Sequence, residues 1–335
     1  MTTWEPLDLD AVLSGRIEAE KPTRLRREDG AALIYPGRLH TLVGEPSNGK
    51  TWVAVAAVAE ALNDERVAVV VDLEDSPRIW VERLRRVGVD DKALALGLRY
   101  IRPSERLRQE QAADLVPVLD ESPALIVVDA FSGLLALEGA DPNAAADVER
   151  TYARVLRPMR ECGAAVLLLD HVVKSREGRG RWATGSERKL SALDGAGYVL
   201  ESVRPFGRGR TGHGRLRLAK DRLGEVGAAG DVVAEVLLTD HDGGVRLRIT
   251  PPEDNGTGDS WRPTALMARV SRVLAESGVP MTSNQVVSAV SGKADYVRKA
   301  LAALVDEGYA TATDGPRGSR LHHYVAEFLD PEAVA

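Results

Sequence analysis

Gly44-Glu45-Pro46-Ser47-Asn48-Gly49-Lys50-Thr51 is a complete G-x-x-x-x-G-K-[ST] stretch. Residues 38–43 before it read as a strand, and residues 52–63 after it as a helix. Between these two elements the stretch has a physical purpose. The glycines let the backbone turn its N–H groups inward around phosphates, and the helix start adds its positive end. Lys50 then reaches the outer phosphates as a cation, and Thr51 offers a hydroxyl to Mg²⁺. Gly44, Glu45, Pro46, Ser47, Asn48, Gly49, Lys50, Thr51 and the adjoining Trp52 are therefore the expected nucleotide contacts, with ATP and Mg²⁺ as the expected ligands.

Outward from this loop, short apolar runs alternate with helical ones. Residues 67–73, 124–128 and 164–169 are continuous apolar runs, the mark of strands buried on both faces. Residues 78–88 and 147–162 read as helices. That order predicts an α/β fold, a mostly parallel sheet covered on both sides. Residues 232–238 and 245–249 flank Asp240-His241-Asp242-Gly243-Gly244, a hairpin signal. The expected organisation is a lead segment over 1–29, an ATPase domain over 30–250, a linker over 251–263 and a small domain over 264–335.

A phosphate loop also needs an acid at the end of a neighbouring buried strand to hold the metal. Asp129, after Ala124-Leu125-Ile126-Val127-Val128, meets that need, so Thr51 and Asp129 form the expected metal pair. Ala130 follows, so the water-activating carboxylate must come from elsewhere. Glu74 is the first choice, at the carboxyl end of 67–73, where ligands of α/β folds gather; Asp72 and Asp75 are its rivals.

With these residues in place, the chain resembles the RepA-like branch of the RecA superfamily, whose members include hexameric replicative helicases. The likeness spans about residues 30–225 and rests on Tyr35-Pro36-Gly37-Arg38-Leu39-His40, the phosphate loop, Leu73-Glu74-Asp75, Asp129, Leu169-Asp170-His171 and Lys220-Asp221-Arg222. The phosphate loop is highly specific for the superfamily, while the other pieces inform through their order. The resemblance implies a RecA-like core, Glu74 as catalytic base and His171 as a sensor of the γ-phosphate. It also implies Arg222, with Lys220, as a finger reaching the ATP of a neighbouring subunit, which requires a homo-oligomer such as a hexameric ring.

Two basic runs stand out against a net charge of −6. Residues 172–182 carry Lys174, Arg176, Arg179, Arg181 and Trp182, suited to phosphates and to stacking on a base. The resemblance places such a loop in the channel of a ring. Residues 204–215 hold no acid, and their glycines suggest a mobile hairpin tip for DNA or subunit contact. The small domain reads as a winged helix. Lys293, Tyr296, Arg298 and Lys299 stand at the start of its third helix, with Arg317 and Arg320 on the wing, for DNA or for protein.

The remaining composition is bland. The chain has 335 residues, 44% hydrophobic and 28% charged, with 4% aromatics. Its single cysteine, Cys162, rules out an internal disulfide and reads as structural. No signal peptide or membrane span is indicated, so a cytoplasmic location is expected. The expected function is an ATP-driven motor on single-stranded DNA, with double-stranded DNA as a further expected partner, of replicative-helicase kind. Two alternatives stand beside it, a DNA-associated ATPase that does not unwind and an ATP-switched DNA-binding regulator.

Overall fold

The computed structural model of the chain describes residues 9–14, 16, 19–107, 112–171, 192–207, 209–241, 244–252, 264–290, 294–315 and 319–328. The chain divides into two compact units, Met1–Asp254 and Asn255–Ala335. Most of the expected linker, 253–263, lies outside the described residues.

The first unit is built on strands β1 (Arg24–Arg26), β2 (Ala32–Ile34), β3 (Leu39–Gly44), β4 (Ala68–Asp72), β5 (Leu98–Ile101), β6 (Leu125–Asp129), β7 (Ala165–His171), β8 (Ala196–Arg204), β9 (Thr211–Asp221), β10 (Val232–His241) and β11 (Gly244–Thr250). Nine of them form one sheet in the order β11-β10-β9-β8-β3-β7-β6-β4-β5. The segment β8-β3-β7-β6-β4-β5 is parallel, and β9, β10 and β11 extend it antiparallel. The α/β architecture is the one the apolar runs predict. Every residue of β4 and β6 is buried, because helices cover both faces.

Helix α1 (Asp10–Leu13) is short, and α2 (Lys50–Asn63) follows the phosphate loop. Ala54, Ala57 and Ala61 of α2 are fully buried, and their small side chains let the helix lie close on the sheet. Then come α3 (Pro77–Arg86), α4 (Asp91–Gly97), α5 (Ala112–Asp120), α6 (Phe131–Leu137), α7 (Ala145–Thr151) and α8 (Arg157–Glu161). Two apolar layers result, one on each side of the sheet.

The helix expected over 147–162 is present, running from Ala145 to Glu161 with a π turn at Tyr152–Leu156. Pro158 has no N–H to return to the carbonyl one turn back, so regular α bonding cannot run through this point. The lead segment foreseen to residue 29 is not all surface. Arg24–Arg26 pairs with Ala32–Ile34, and Leu25 is 3% exposed within the core. Glu28 N donates to Ile249 O at 2.9 Å, fastening this hairpin to β11.

The second unit contains α9 (Thr264–Ser277), β12 (Met281–Thr282), α10 (Ser283–Ala289), α11 (Ala294–Asp306), β13 (Ala310–Asp314) and β14 (Arg320–Tyr324). Its strands pair in the order β12-β14-β13. A capping box opens α10: Gln285 N donates to Thr282 Oγ1, and Thr282 N donates to Gln285 Oε1. Leu266, Met267, Val270, Val297, Leu301 and Leu304 belong to a separate core. No described helix is long and apolar enough to cross a membrane.

Candidate functional site

The phosphate loop joins β3 to α2, in the middle of the sheet. Ser47 and Gly49 have positive φ, 64° and 89°, which folds the loop back over the start of α2. Lys50 is the first residue of that helix and is buried, 7% exposed. Its Nζ donates to Gly44 O at 2.9 Å and to Glu45 O at 3.0 Å. Burial pulls the Lys50 pKa down, while Asp129, Glu74 and Asp170 oppose that shift.

Thr51 Oγ1 donates to Asp129 Oδ2 at 3.3 Å. Asp129 ends β6 directly beside Asp72 at the end of β4. Burial, and after it the charges of Glu74 and Asp72, push the Asp129 carboxyl up to about 6. A hydroxyl and a buried carboxylate side by side fit a hard divalent cation whose remaining ligands are water and phosphate oxygens. Among the described residues no cluster of three His, Cys, Asp or Glu side chains could hold a metal alone. A Mg²⁺ ion here would thus depend on phosphate ligands as well as on Thr51 and Asp129.

The three acids after β4 have different surroundings. Asp72 is fully buried; it accepts from the backbone N–H groups of Glu74 and Asp75 at 2.9 and 2.8 Å and from the Tyr100 hydroxyl at 2.6 Å. Its bonds shape the turn. Asp75 pairs with Arg83 at 2.9 Å. Glu74 alone of the three faces the cavity that Lys50, Thr51, Asp129 and His171 also line. His171 ends β7, next to Gly44 in register, and its ring lies 3.1 Å from Glu74 Oε1 and 3.3 Å from Lys50 Nζ.

The cavity has a volume of about 580 Å³ and reaches past the loop. Pro46, Ser47, Gly49 and Trp52 line it, as the sequence reading expects of loop neighbours. Its far end is made by Ile79, Arg83 and Arg86 of α3, by Phe206 and Gly207, and by Leu238, Asp240 and Val245. No motif in the sequence marks this half; the one signal, the glycine-rich run 204–215, reads as a mobile hairpin tip. Instead, Phe206 in the segment joining β8 to β9 packs against the phosphate loop, in room left by Gly49 and by Gly212 and Gly214 of β9.

Lys220 and Arg222 do not line this cavity. They stand at the far end of β9, level with the start of β8. Val43, next to the phosphate loop, is level through Val199 with Arg217, so Lys220 lies three residues, roughly 10 Å, further along β9. Lys220 Nζ donates to Leu193 O at 2.9 Å, and Arg222 N to Gly195 O at 3.1 Å. Lys174, Arg176, Arg179, Arg181, Trp182, Lys293 and Arg317 lie outside the described residues. Arg298 is exposed on α11, its Nη2 3.4 Å from Asn284 Oδ1. Cys162 is half-buried with its thiol donating to Met159 O at 3.0 Å, and burial raises its pKa, as suits a structural thiol.

The family model described as "AAA domain" matches residues 3–177, just over half of the chain. The chain belongs to that family. A RecA-like P-loop ATPase is accordingly the class of this AAA-domain protein, and nucleotide binding follows from it. A curated relative, Protein RecA of Mesoplasma florum, is 33% identical over 104 residues. That alignment covers 30% of the AAA-domain chain and 28% of the relative, so the chain spans under a third of that protein's length.

Proposed function

We propose that this chain hydrolyses ATP to act on DNA as a homo-oligomeric motor, of the replicative-helicase kind that its motifs resemble. One observation carries the enzymatic part: Lys50 and Thr51 from the start of α2, Asp129 from the end of β6 and Glu74 from the turn after β4 converge on one cavity. Lys50 supplies fixed positive charge toward the outer phosphates, and Glu74 takes the proton of the attacking water. His171, between these two, senses the γ-phosphate. Mg²⁺, held through Thr51 and Asp129, would neutralise charge on the phosphates.

The oligomeric part draws support from Lys220 and Arg222. They lie outside the cavity of their own phosphate loop and toward the opposite ends of these strands, as cations meant for a neighbour's nucleotide would. DNA would be met by the basic residues of 172–182 and by the second unit in the manner of a winged helix, with Lys293, Arg298 and Arg317 as contacts.

The test is steady-state ATP hydrolysis with and without single-stranded DNA, using Lys50→Ala as the blank. Strong stimulation by DNA, followed by strand displacement on a forked duplex, is the expected result. Turnover indifferent to DNA would overturn the motor in favour of an ATPase that assists DNA transactions without unwinding. Nucleotide binding without turnover would favour the ATP-switched regulator.

A further inference from the structure

The phosphate-binding residues fill one half of the cavity. The other half comes from parts of the sheet that are not needed to hold phosphates. Here β8 passes into β9 through residues 205–210, longer than the two-residue turn that suffices to join antiparallel strands. The extra length turns Phe206 inward.

The Phe206 ring sits in a slot cleared by glycines on two elements. A Cβ at Gly49 would stand 2.8 Å from Phe206 Cδ2 and Cε2, and a Cβ at Gly212 would overlap the other ring edge. A third, at Gly214, would stand 3.3 Å from Phe206 Cζ. The tip is also fastened. Gly209 N donates to Asp240 Oδ2 at 2.8 Å, and Asp240 Oδ1 forms an ion pair with Arg86 of α3. Asp240 is largely buried, its side chain 11% exposed. It therefore ties β10, α3 and the β8–β9 tip together at the cavity wall.

We propose that Phe206 is the residue that contacts the nucleoside, and that Asp240 is a positioning residue that holds it there. This rests on the reading of the site as an ATP site. A nucleotide whose phosphates lie on the loop at Gly49 and Lys50 carries its base and sugar toward one of the two ends of the cavity. The Glu74–Asp129 end is acidic and serves water and metal. The end walled by Phe206, Ile79, Leu238 and Val245 offers apolar surface and the aromatic face of Phe206, while the other aromatic of the lining, Trp52, is already covered by the Arg83 guanidinium, 5.9 Å from its ring centre; that surface suits a flat heteroaromatic base. Base–aromatic stacking changes affinity by roughly 5- to 150-fold when the ring is removed.

The experiment compares equilibrium binding of Mg·ATP with that of tripolyphosphate, which has the phosphates but no nucleoside. Wild type, Phe206→Leu, Phe206→Tyr and Asp240→Asn are measured, with thermal melts to show that each is folded. Leucine keeps apolar bulk in the slot, so the fold is retained while the aromatic face is lost. The expected result is that Phe206→Leu weakens ATP by about 5-fold or more and leaves tripolyphosphate unchanged. Phe206→Tyr stays close to wild type, and Asp240→Asn shows the same selective loss. Equal losses for both ligands, tighter binding of both, or no change in Phe206→Leu would each overturn the assignment. Failure of the ATP reading itself looks different: the wild type would bind neither ligand and Lys50→Ala would alter nothing.

Discussion

His171 Nε2 lies 3.1 Å from Glu74 Oε1, so the candidate base, half exposed, is also engaged by a ring. The other ring nitrogen, Nδ1, stands 3.3 Å from the Lys50 ammonium, which can only donate. Nδ1 is thus the acceptor, and Nε2 carries the hydrogen toward Glu74. Glu74→Gln should keep nucleotide affinity and lower turnover by about 10²- to 10⁴-fold. Stopped-flow binding beside steady-state hydrolysis checks this; unchanged turnover would remove Glu74 from the chemistry. His171→Ala should lower turnover less and abolish its response to DNA.

Asp129 is the acid against which the Thr51 hydroxyl rests. Asp129→Asn removes the charge and keeps the shape. The concentration of Mg²⁺ needed for half-maximal hydrolysis should rise at least about tenfold, in line with the loss of one charged contact worth more than 1.4 kcal/mol. A titration of activity against Mg²⁺ decides it, and an unshifted midpoint would place the metal elsewhere.

Arg222→Ala and Lys220→Ala should retain ATP binding and lose turnover by about 10³-fold, the lower bound for an arginine finger. The geometry calls for a mixing test. Arg222→Ala protein has an intact phosphate loop, and Lys50→Ala protein has an intact finger. Mixed together, they form some complete interfaces, and hydrolysis should reappear. Silence at every mixing ratio would rule out action between subunits.

His40 gives the fold a dependence on acid. It is completely buried, and burial lowers its pKa to about 4, against 6.5 when unfolded. Its Nε2 accepts from Tyr35 N at 3.0 Å, so the folded state holds it neutral. The unfolded state takes up a proton as pH falls below 6.5, and the folded state does so only near 4. Stability is full above 6.5 and falls by roughly 3 kcal/mol between these values. Urea midpoints at pH 7.5, 6 and 5 should decline accordingly. His40→Leu should start less stable, with Tyr35 N unpaired, but lose less on acidification. A slope equal to that of wild type would show that other groups set the acid response.

The parallel part of the fold was legible because its strands are sealed on both faces. Val69–Val71 and Ile126–Val128 have no polar face to show, and no other element needs such a run. Lys50, Thr51, Asp129 and Glu74 could be placed because they sit at ends of those strands, within a few residues of the pattern that locates them. Phe206 and Asp240 could not. They meet across antiparallel pairings, and neither carries a local signature of the cavity it lines. Residues 24–34 were obscure for another reason: a three-residue strand is too short for alternation to show, and Leu25 is the one buried residue in a charged run.

β9 is one unbroken strand with the nucleotide-side tip at its beginning and Lys220 near its end. It is held along most of its length by β8 on one side and β10 on the other. Its pairing with β8 shifts register at Ala219, just before Lys220. A ligand that presses on Phe206 would load one end of this strand, with Lys220 near the other. In the proposed assembly, with that other end turned toward the next protomer, the state of one nucleotide would set the reach of the cations offered to another. Sequential firing around such an assembly would then need no separate relay, since a single strand links input to output.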